Sequence, residues 1–259
     1  MIEHFDGVIF DVDGVLEYQK RVYPGAVELI DKLRSNGTSV RILTNSTLKS
    51  RHTAASKLRA KGFAIQDEQV ITASYATAQY LKQKSIRSCW VMLKGEGLEE
   101  FCDLPQDDEN PEYLVLGDLR DEFNFQNMNR AAKILSGGAK LIVMIPEMID
   151  SSLGQMELTV GAYGRMLEVA LNIEGVYIGK PSRYIFEATL ESMDLQARDR
   201  VLMVGDKTST DILGAKNAGV RSALIRTGEF SQDGSADDVQ PDYSFDSIAE
   251  LGNFLFEGG

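Results

Sequence analysis

Gly7-Val8-Ile9-Phe10-Asp11-Val12-Asp13-Gly14-Val15 is the stretch whose reading decides the fold. Gly7 to Phe10 lacks polar alternation and is too short for a buried helix, so it reads as a strand covered on both faces. Acid follows at once. Asp11 and Asp13 stand two positions apart, and Gly14 lets the backbone turn tightly straight after them. Such a pair can be an Asx turn leading out of a strand. Against that reading, two acids at the end of a buried strand are expensive unless a cation or a developing charge balances them.

Working outward, the same unit recurs. Residues 24–36 place Ala26, Leu29, Ile30 and Leu33 at helical spacing, with Gly37 as the stop. Val40-Arg41-Ile42-Leu43 is the next strand, residues 51–61 the next helix, ended by Gly62, and Val70-Ile71-Thr72 a further strand. From Ser85 onward the punctuation changes. Residues 104–111 are polar and proline-containing, an expected exposed loop, followed by a strand at 113–116, a helix at 125–135 and a strand at 141–145. Beyond Gly175 come a strand at 176–178, a helix at 182–193, the apolar strand Val201-Leu202-Met203-Val204, a helix at 211–217, a strand at 222–224 and a helix at 248–256. Strand, helix, strand in repetition predicts an α/β fold with a parallel sheet, and residues 85–175 hold enough elements for a smaller α/β domain inserted into a core made of residues 1–84 and 176–259.

The bulk numbers exclude whole classes of function. A chain of 259 residues with 43% hydrophobic content can bury a substantial core. Its 27 basic and 39 acidic residues give a net charge of -12, so the surface repels phosphate backbones and anionic lipid, and neither nucleic acid nor a membrane is an expected partner. An anionic substrate would have to be attracted locally, by metal, lysine and backbone N–H groups. Cys89 and Cys102 make neither a zinc site nor a disulfide framework, and are expected to be buried thiols in a reducing compartment. Met1-Ile2-Glu3-His4-Phe5-Asp6 carries acids where a signal peptide needs bases, and no run approaches the roughly 18 apolar residues that cross a bilayer. The expectation is a soluble, cytoplasmic protein.

Chemistry collects at the strand ends. In an open parallel sheet the ligand site lies beyond the carboxyl ends of the strands, so Asp11 and Asp13, Thr44 and Asn45, and Asp206 should converge although the sequence separates them widely. One acid in such a place is more often a cap or turn former. The set together is what argues for a site. A hard ion such as Mg²⁺ would balance the acids, and Gly205-Asp206-Lys207-Thr208-Ser209-Thr210-Asp211 offers further oxygens, with Thr210 also suited to cap the next helix. Lys180 precedes a helix start in which Pro181 suits the first turn. Thr44, Asn45 and Ser46 are neutral donors for phosphoryl oxygens, or turn formers. A nucleophile, a neighbouring acid, hydroxyl and amide donors, a lysine and a metal-binding carboxylate are the inventory of phosphoryl transfer.

In their order these residues resemble the four motifs of the haloacid dehalogenase (HAD) superfamily: Asp11-Val12-Asp13-Gly14, Leu43-Thr44-Asn45, Lys180-Pro181, and Gly205-Asp206 through Thr210-Asp211. The resemblance spans nearly the whole chain. It implies a Rossmann-like three-layer sandwich, and a Mg²⁺-dependent phosphatase in which Asp11 attacks phosphorus while Asp13 protonates the leaving alcohol and later activates water. It further implies that Thr44, Asn45 and Lys180 hold the phosphoryl group, that Asp11, the backbone carbonyl of Asp13 and Asp206 bind the ion, and that Asp211 binds it directly or supports it. An acid at the second position of motif one is typical of the phosphatases and absent from the dehalogenases.

The interval from Asp11 to Thr44 is too short for more than a small flap, whereas that from Thr44 to Lys180 holds a domain. A cap inserted there resembles the type-two, subclass A cap of the NagD-like phosphatases, which share Pro24-Gly25-Ala26 and Thr44-Asn45-Ser46-Thr47. Relatives of this kind act on nucleotides, 4-nitrophenyl phosphate, phosphoglycolate, pyridoxal phosphate, phospholysine or pyrophosphate, and often form homodimers through the cap, which is expected to open and close over a small phosphorylated metabolite. This chain departs from the NagD-like pattern at Ile145-Pro146-Glu147-Met148-Ile149-Asp150 and at Glu157-Leu158-Thr159-Val160-Gly161-Ala162, which leaves the leaving group open and lies closer to the phospholysine branch. Phosphotransfer to an acceptor other than water, as in a mutase, and a non-catalytic binding protein on the same fold are the rival readings. His4 and His52 fall outside the motifs and read as surface residues, while Met144, Met148 and Met156 read as core or loop packing near the cap loop.

Overall fold

The computed structural model describes residues 4–150, 156–195, 197–228 and 239–257, so Met1, Ile2 and Glu3 of the N-terminal stretch lie outside the described residues. The chain separates into two compact units. One comprises Met1–Thr44, Ala54–Ile71 and Lys180–Gly259, and the other Asn45–Thr53 and Thr72–Gly179.

In the first unit the quoted strand, Gly7–Phe10, lies inside a six-stranded sheet. It pairs in parallel with Val201–Gly205 on one side and with Ser39–Thr44 on the other. Arg221–Ile225 and Tyr243–Phe245 extend the sheet in parallel beyond Val201–Gly205, and Val70–Thr72 forms the opposite edge. Alternate residues face opposite sides. Val8 and Phe10 join Val40, Ile42, Leu202, Val204, Ala223 and Ile225 in one core, closed by the helices Ala26–Ser35 and Ile248–Glu257 through Leu29, Ile30, Leu33, Leu251 and Leu255. The other face takes the helices Arg183–Met193 and Leu213–Ala218, which pack together so closely that a Cβ on Gly214 would lie 2.2 Å from the Phe186 ring. The result is the three-layer α/β sandwich expected.

Local chemistry sets several boundaries differently from the pattern. Ser182, not Pro181, caps the helix Arg183–Met193, accepting from the Tyr184 N–H at 3.5 Å, so Pro181 lies before the cap. Thr210 is no cap either. It is buried inside a single π-turn, Thr208–Ile212, that precedes the helix Leu213–Ala218. An unforeseen hairpin, Glu17–Tyr18 with Arg21–Val22, follows the first acids.

Outside the sheet the unit is tied by ion pairs. Arg198 grips Glu187 with both terminal nitrogens, at 2.8 and 2.7 Å, and Arg183 adds a third bond at 2.7 Å. The Arg198 and Arg183 hydrogen bonds hold the Glu187 carboxyl down at about 2. A carboxylate with a lowered folded pKa stabilises in full above its unfolded value and loses that contribution as pH falls toward the folded one. Glu187→Gln is therefore expected to lower the urea midpoint at pH 7, with the gap to wild type closing between the ordinary 4.5 and about 2. Denaturation curves at successive pH values check this.

The second unit holds a four-stranded parallel sheet in the order Val176–Tyr177, Lys140–Val143, Tyr113–Leu116 and Cys89–Met92. The helices Ala73–Gln83, Phe125–Ser136 and Val160–Leu171 belong to the same unit. Buried Glu168 ties the last of these helices to the strand Val176–Tyr177, accepting from the Gly175 N–H at 2.7 Å and the Tyr177 hydroxyl at 2.8 Å. Cys89 is buried, but Cys102 is exposed, correcting the expectation of two buried thiols. Met144 packs in the interior, whereas Met148 and Met156 are exposed, so only the first fits a packing role. His4 and His52 are exposed as expected. No helix among the described residues is long and apolar enough to cross a membrane.

Candidate active site

Asp11 follows the strand Gly7–Phe10 directly, and its N–H still donates to the Val204 carbonyl at 2.9 Å, so the sheet ladder runs into the site. The chain then tightens. The Val12 carbonyl accepts from the N–H groups of Leu16 at 2.9 Å and Glu17 at 3.1 Å, and Gly14 takes a left-handed φ of 85°. Gly14 is required here for two reasons, since a Cβ at that position would also fall 2.0 Å from Asp206 Oδ2. Asp206 comes off the neighbouring strand, Val201–Gly205, and is 1% exposed. Close approach is needed again at Gly205, where a Cβ would lie 2.1 Å from the Cβ of Asp211.

Asp11, Asp206 and Asp211, all buried, bring carboxylate oxygens within 4.8 Å of one another. Lys180, 2% exposed, places its Nζ 2.8 Å from Asp11 Oδ1 and 2.7 Å from Asp211 Oδ1. Asp211 Oδ2 also accepts the Lys207 N–H at 3.2 Å. Burial pushes the Asp11 carboxyl up, against the pull of Lys180, with Asp13 adding to the rise. Burial likewise pushes Asp211 up to about 6, opposed by Lys180 and reinforced by the charge on Asp11. Burial alone would lower Lys180, but the charges of Asp11 and Asp211 outweigh it and raise the ammonium. Lys180 brings one positive charge to three buried carboxylates, and this all-oxygen donor set suits a hard divalent cation of the Mg²⁺ type.

The other expected residues are placed as follows. Thr44 is buried at the end of Ser39–Thr44, the strand beside Asp11's own. Asp13 is exposed, not buried with Asp11, and forms an isolated bridge with Glu17. Asn45 falls in the second unit, where its amide donates to Glu147 Oε1 at 2.7 Å. Sequence reasoning missed this last contact, and also the Thr227 hydroxyl, which donates to the Gly14 carbonyl at 2.5 Å. Neither carries a signal of its own in the sequence. Glu147 stands in the sequence only as a departure from the NagD-like pattern, and Thr227 lies in no motif.

Comparison with known proteins now bears on this site. The profile of the haloacid dehalogenase-like hydrolase family matches residues 8–104, and a second, HAD-hydrolase-like profile matches residues 177–251. The matched segments carry Asp11, Asp13, Thr44 and Asn45 in the first and Lys180, Asp206 and Asp211 in the second. The chain belongs to the haloacid dehalogenase-like hydrolases. This hydrolase is 32% identical to the phospholysine phosphohistidine inorganic pyrophosphate phosphatase of Mus musculus, over 97% of this chain and 94% of the relative. Among solved structures it resembles the p-nitrophenyl phosphatase from Archaeoglobus fulgidus, with a TM-score of 0.89, 26% identity, and coverage of 96% of this chain and 99% of the other. It also resembles NagD from E. coli K-12, with a TM-score of 0.85, 26% identity, and coverage of 95% and 98%. Within its family this hydrolase is a NagD-like phosphatase.

Proposed function

We propose that this hydrolase is a Mg²⁺-dependent phosphatase of small phosphorylated metabolites, acting through a phosphoaspartyl intermediate on Asp11. The observation that carries the reading is the placement of the Lys180 ammonium between Asp11, which directly follows Gly7–Phe10, and Asp211, in the π-turn beyond the adjacent parallel strand Val201–Gly205. A carboxylate held this way is oriented, and the ammonium opposes the burial that disfavours its charged form. Asp206 and Asp211, with the carbonyl of Asp13, would hold the ion beside Asp11, and the bound ion supplies charge neutralisation for the transferring phosphoryl group. Thr44, Asn45 and Lys180 would donate to phosphoryl oxygens. Asp13 suits proton transfer because it is exposed, where it can exchange protons with a leaving group and then with water. Phosphorus passes to Asp11 as the leaving-group oxygen takes a proton from Asp13. Water then bonds to phosphorus as Asp13 takes its proton and the bond from Asp11 to phosphorus breaks, which frees phosphate, returns Asp11 to a carboxylate and leaves Asp13 protonated for the next cycle.

In this reading residues 1–84 and 176–259 carry the chemistry, and the inserted residues 85–175 select the substrate. Nucleotides, sugar phosphates, phosphoglycolate and pyridoxal phosphate form the leading substrate class. The phospholysine and pyrophosphate relative, at 32% identity, favours a second class with phosphoamide or pyrophosphate bonds. The test is orthophosphate release from a panel of these compounds and p-nitrophenyl phosphate, with Mg²⁺ and with excess EDTA. Turnover of at least one compound that EDTA abolishes and added Mg²⁺ restores is expected. Silence across the panel, or activity indifferent to chelation, would refute the proposal.

A further inference from the structure

Glu17 is a buried carboxylate that none of the chemistry above uses. Its side chain is 11% exposed, and its partner, the ammonium of Lys61, lies far off in sequence, beyond the helix Arg51–Arg59. Glu17 opens the hairpin Glu17–Tyr18/Arg21–Val22, whose turn residues Gln19 and Lys20 both take left-handed φ values, 48° and 69°, as a tight two-residue hairpin turn requires. The backbone of Glu17 clasps Asp13 from both sides. Its N–H donates to the carbonyl of Val12 at 3.1 Å, its carbonyl accepts the N–H of Gly14 at 2.7 Å, and Asp13 itself bridges to Glu17. Wherever Glu17 sits, Asp13 must follow. Removing the half-buried partner of a buried charge leaves that charge uncompensated, which drives it toward water. Loss of Lys61 would therefore pull Glu17, and with it the loop carrying Asp13, out of register.

We propose that Lys61 and Glu17 form a positioning pair that aims Asp13 at the leaving group. The proposal rests on the phosphatase reading above and on Asp13 as its acid. A group that aims the acid matters most when the leaving group needs a proton. Phenyl phosphate and p-nitrophenyl phosphate have nearly the same shape, but p-nitrophenolate departs unaided while phenolate benefits from protonation. The experiment compares kcat/KM, which reads phosphoryl transfer to Asp11 and not the later hydrolysis, for both compounds with Mg²⁺.

Lys61→Met is expected to lower kcat/KM on phenyl phosphate by about tenfold or more, within the range of a misplaced acid, and on p-nitrophenyl phosphate by less than about threefold. Lys61→Arg should restore the wild-type ratio. In an Asp13→Asn background, adding Lys61→Met should leave the ratio unchanged, because the residue it aims is already gone. If Lys61→Met does not fold, Glu17→Gln is measured in its place, with the same asymmetry expected. Equal losses on the two compounds, or no loss on either, overturn the positioning role while leaving the phosphatase intact. A wild-type protein that releases phosphate from neither compound nor from any other member of the panel above overturns the phosphatase reading instead.

Discussion

Asp11→Asn is expected to abolish turnover of p-nitrophenyl phosphate, by at least about 10³-fold, while the protein stays folded. A carboxamide is nearly the same size and still meets the Lys180 ammonium through its carbonyl oxygen, but it has no anionic oxygen with which to attack phosphorus. The fold should tolerate the change well. Burial holds the Asp11 carboxyl above its ordinary range, so the charged form costs stability at neutral pH that a neutral amide does not. Thermal melting and intact-mass analysis after exposure to substrate separate the outcomes: no phosphorylated adduct forms, and the melting temperature is unchanged or higher. Wild-type turnover in this variant would remove Asp11 from the nucleophile's place.

Lys180→Met has the second largest expected effect, and it should strike stability and activity together. The side chain keeps its length and apolar stem but loses the ammonium that touches both Asp11 and Asp211. Stripping one partner from a buried charge cluster typically costs about 3–5 kcal/mol. In chelator a fall of that order is expected in the free energy of unfolding by urea. Mg²⁺ should return part of it, since a bound cation stabilises the native state by mass action and would sit among carboxylates now lacking their lysine. Activity should fall by at least about 10²-fold even when Mg²⁺ restores the fold, because the phosphoryl group loses a cation that helps neutralise it. If urea denaturation in chelator does not distinguish Lys180→Met from wild type, the buried ion pairs do not carry the weight assigned to them.

The central strands were legible because burial on both faces removes polar alternation, leaving runs such as Gly7 to Phe10 and Val201 to Val204 that admit few other readings. Their parallel order then brought Asp11 and Asp206 to one edge by geometry alone, and the oxygens of Asp11, Asp206 and Asp211 meet there. What escaped has physical causes. The hairpin after Asp13 turns on Gln19 and Lys20, whose left-handed φ values do not belong to the Asn-Gly or Asp-Gly pairs that announce such turns. The π-turn Thr208–Ile212 replaces a regular helix start where Asp211 presses against Gly205, a crowding that no periodicity encodes. The division of charge around Lys180 also needs coordinates, since its partners come from segments far apart in the chain. Exposure of Cys102 and of Met148 depends on which face of a short element meets solvent, and a few residues carry too little pattern to say.

The place of Gly7–Phe10 between Ser39–Thr44 and Val201–Gly205 has a consequence for how the protein is made. Translation delivers Asp11 well before the strand that supplies Asp206, with the whole of the inserted unit made in between. At about 5–20 residues per second that delay is on the order of 10 to 40 seconds. Throughout it, one flank of an apolar strand is without its neighbour, a surface that a chaperone or another nascent chain can occupy.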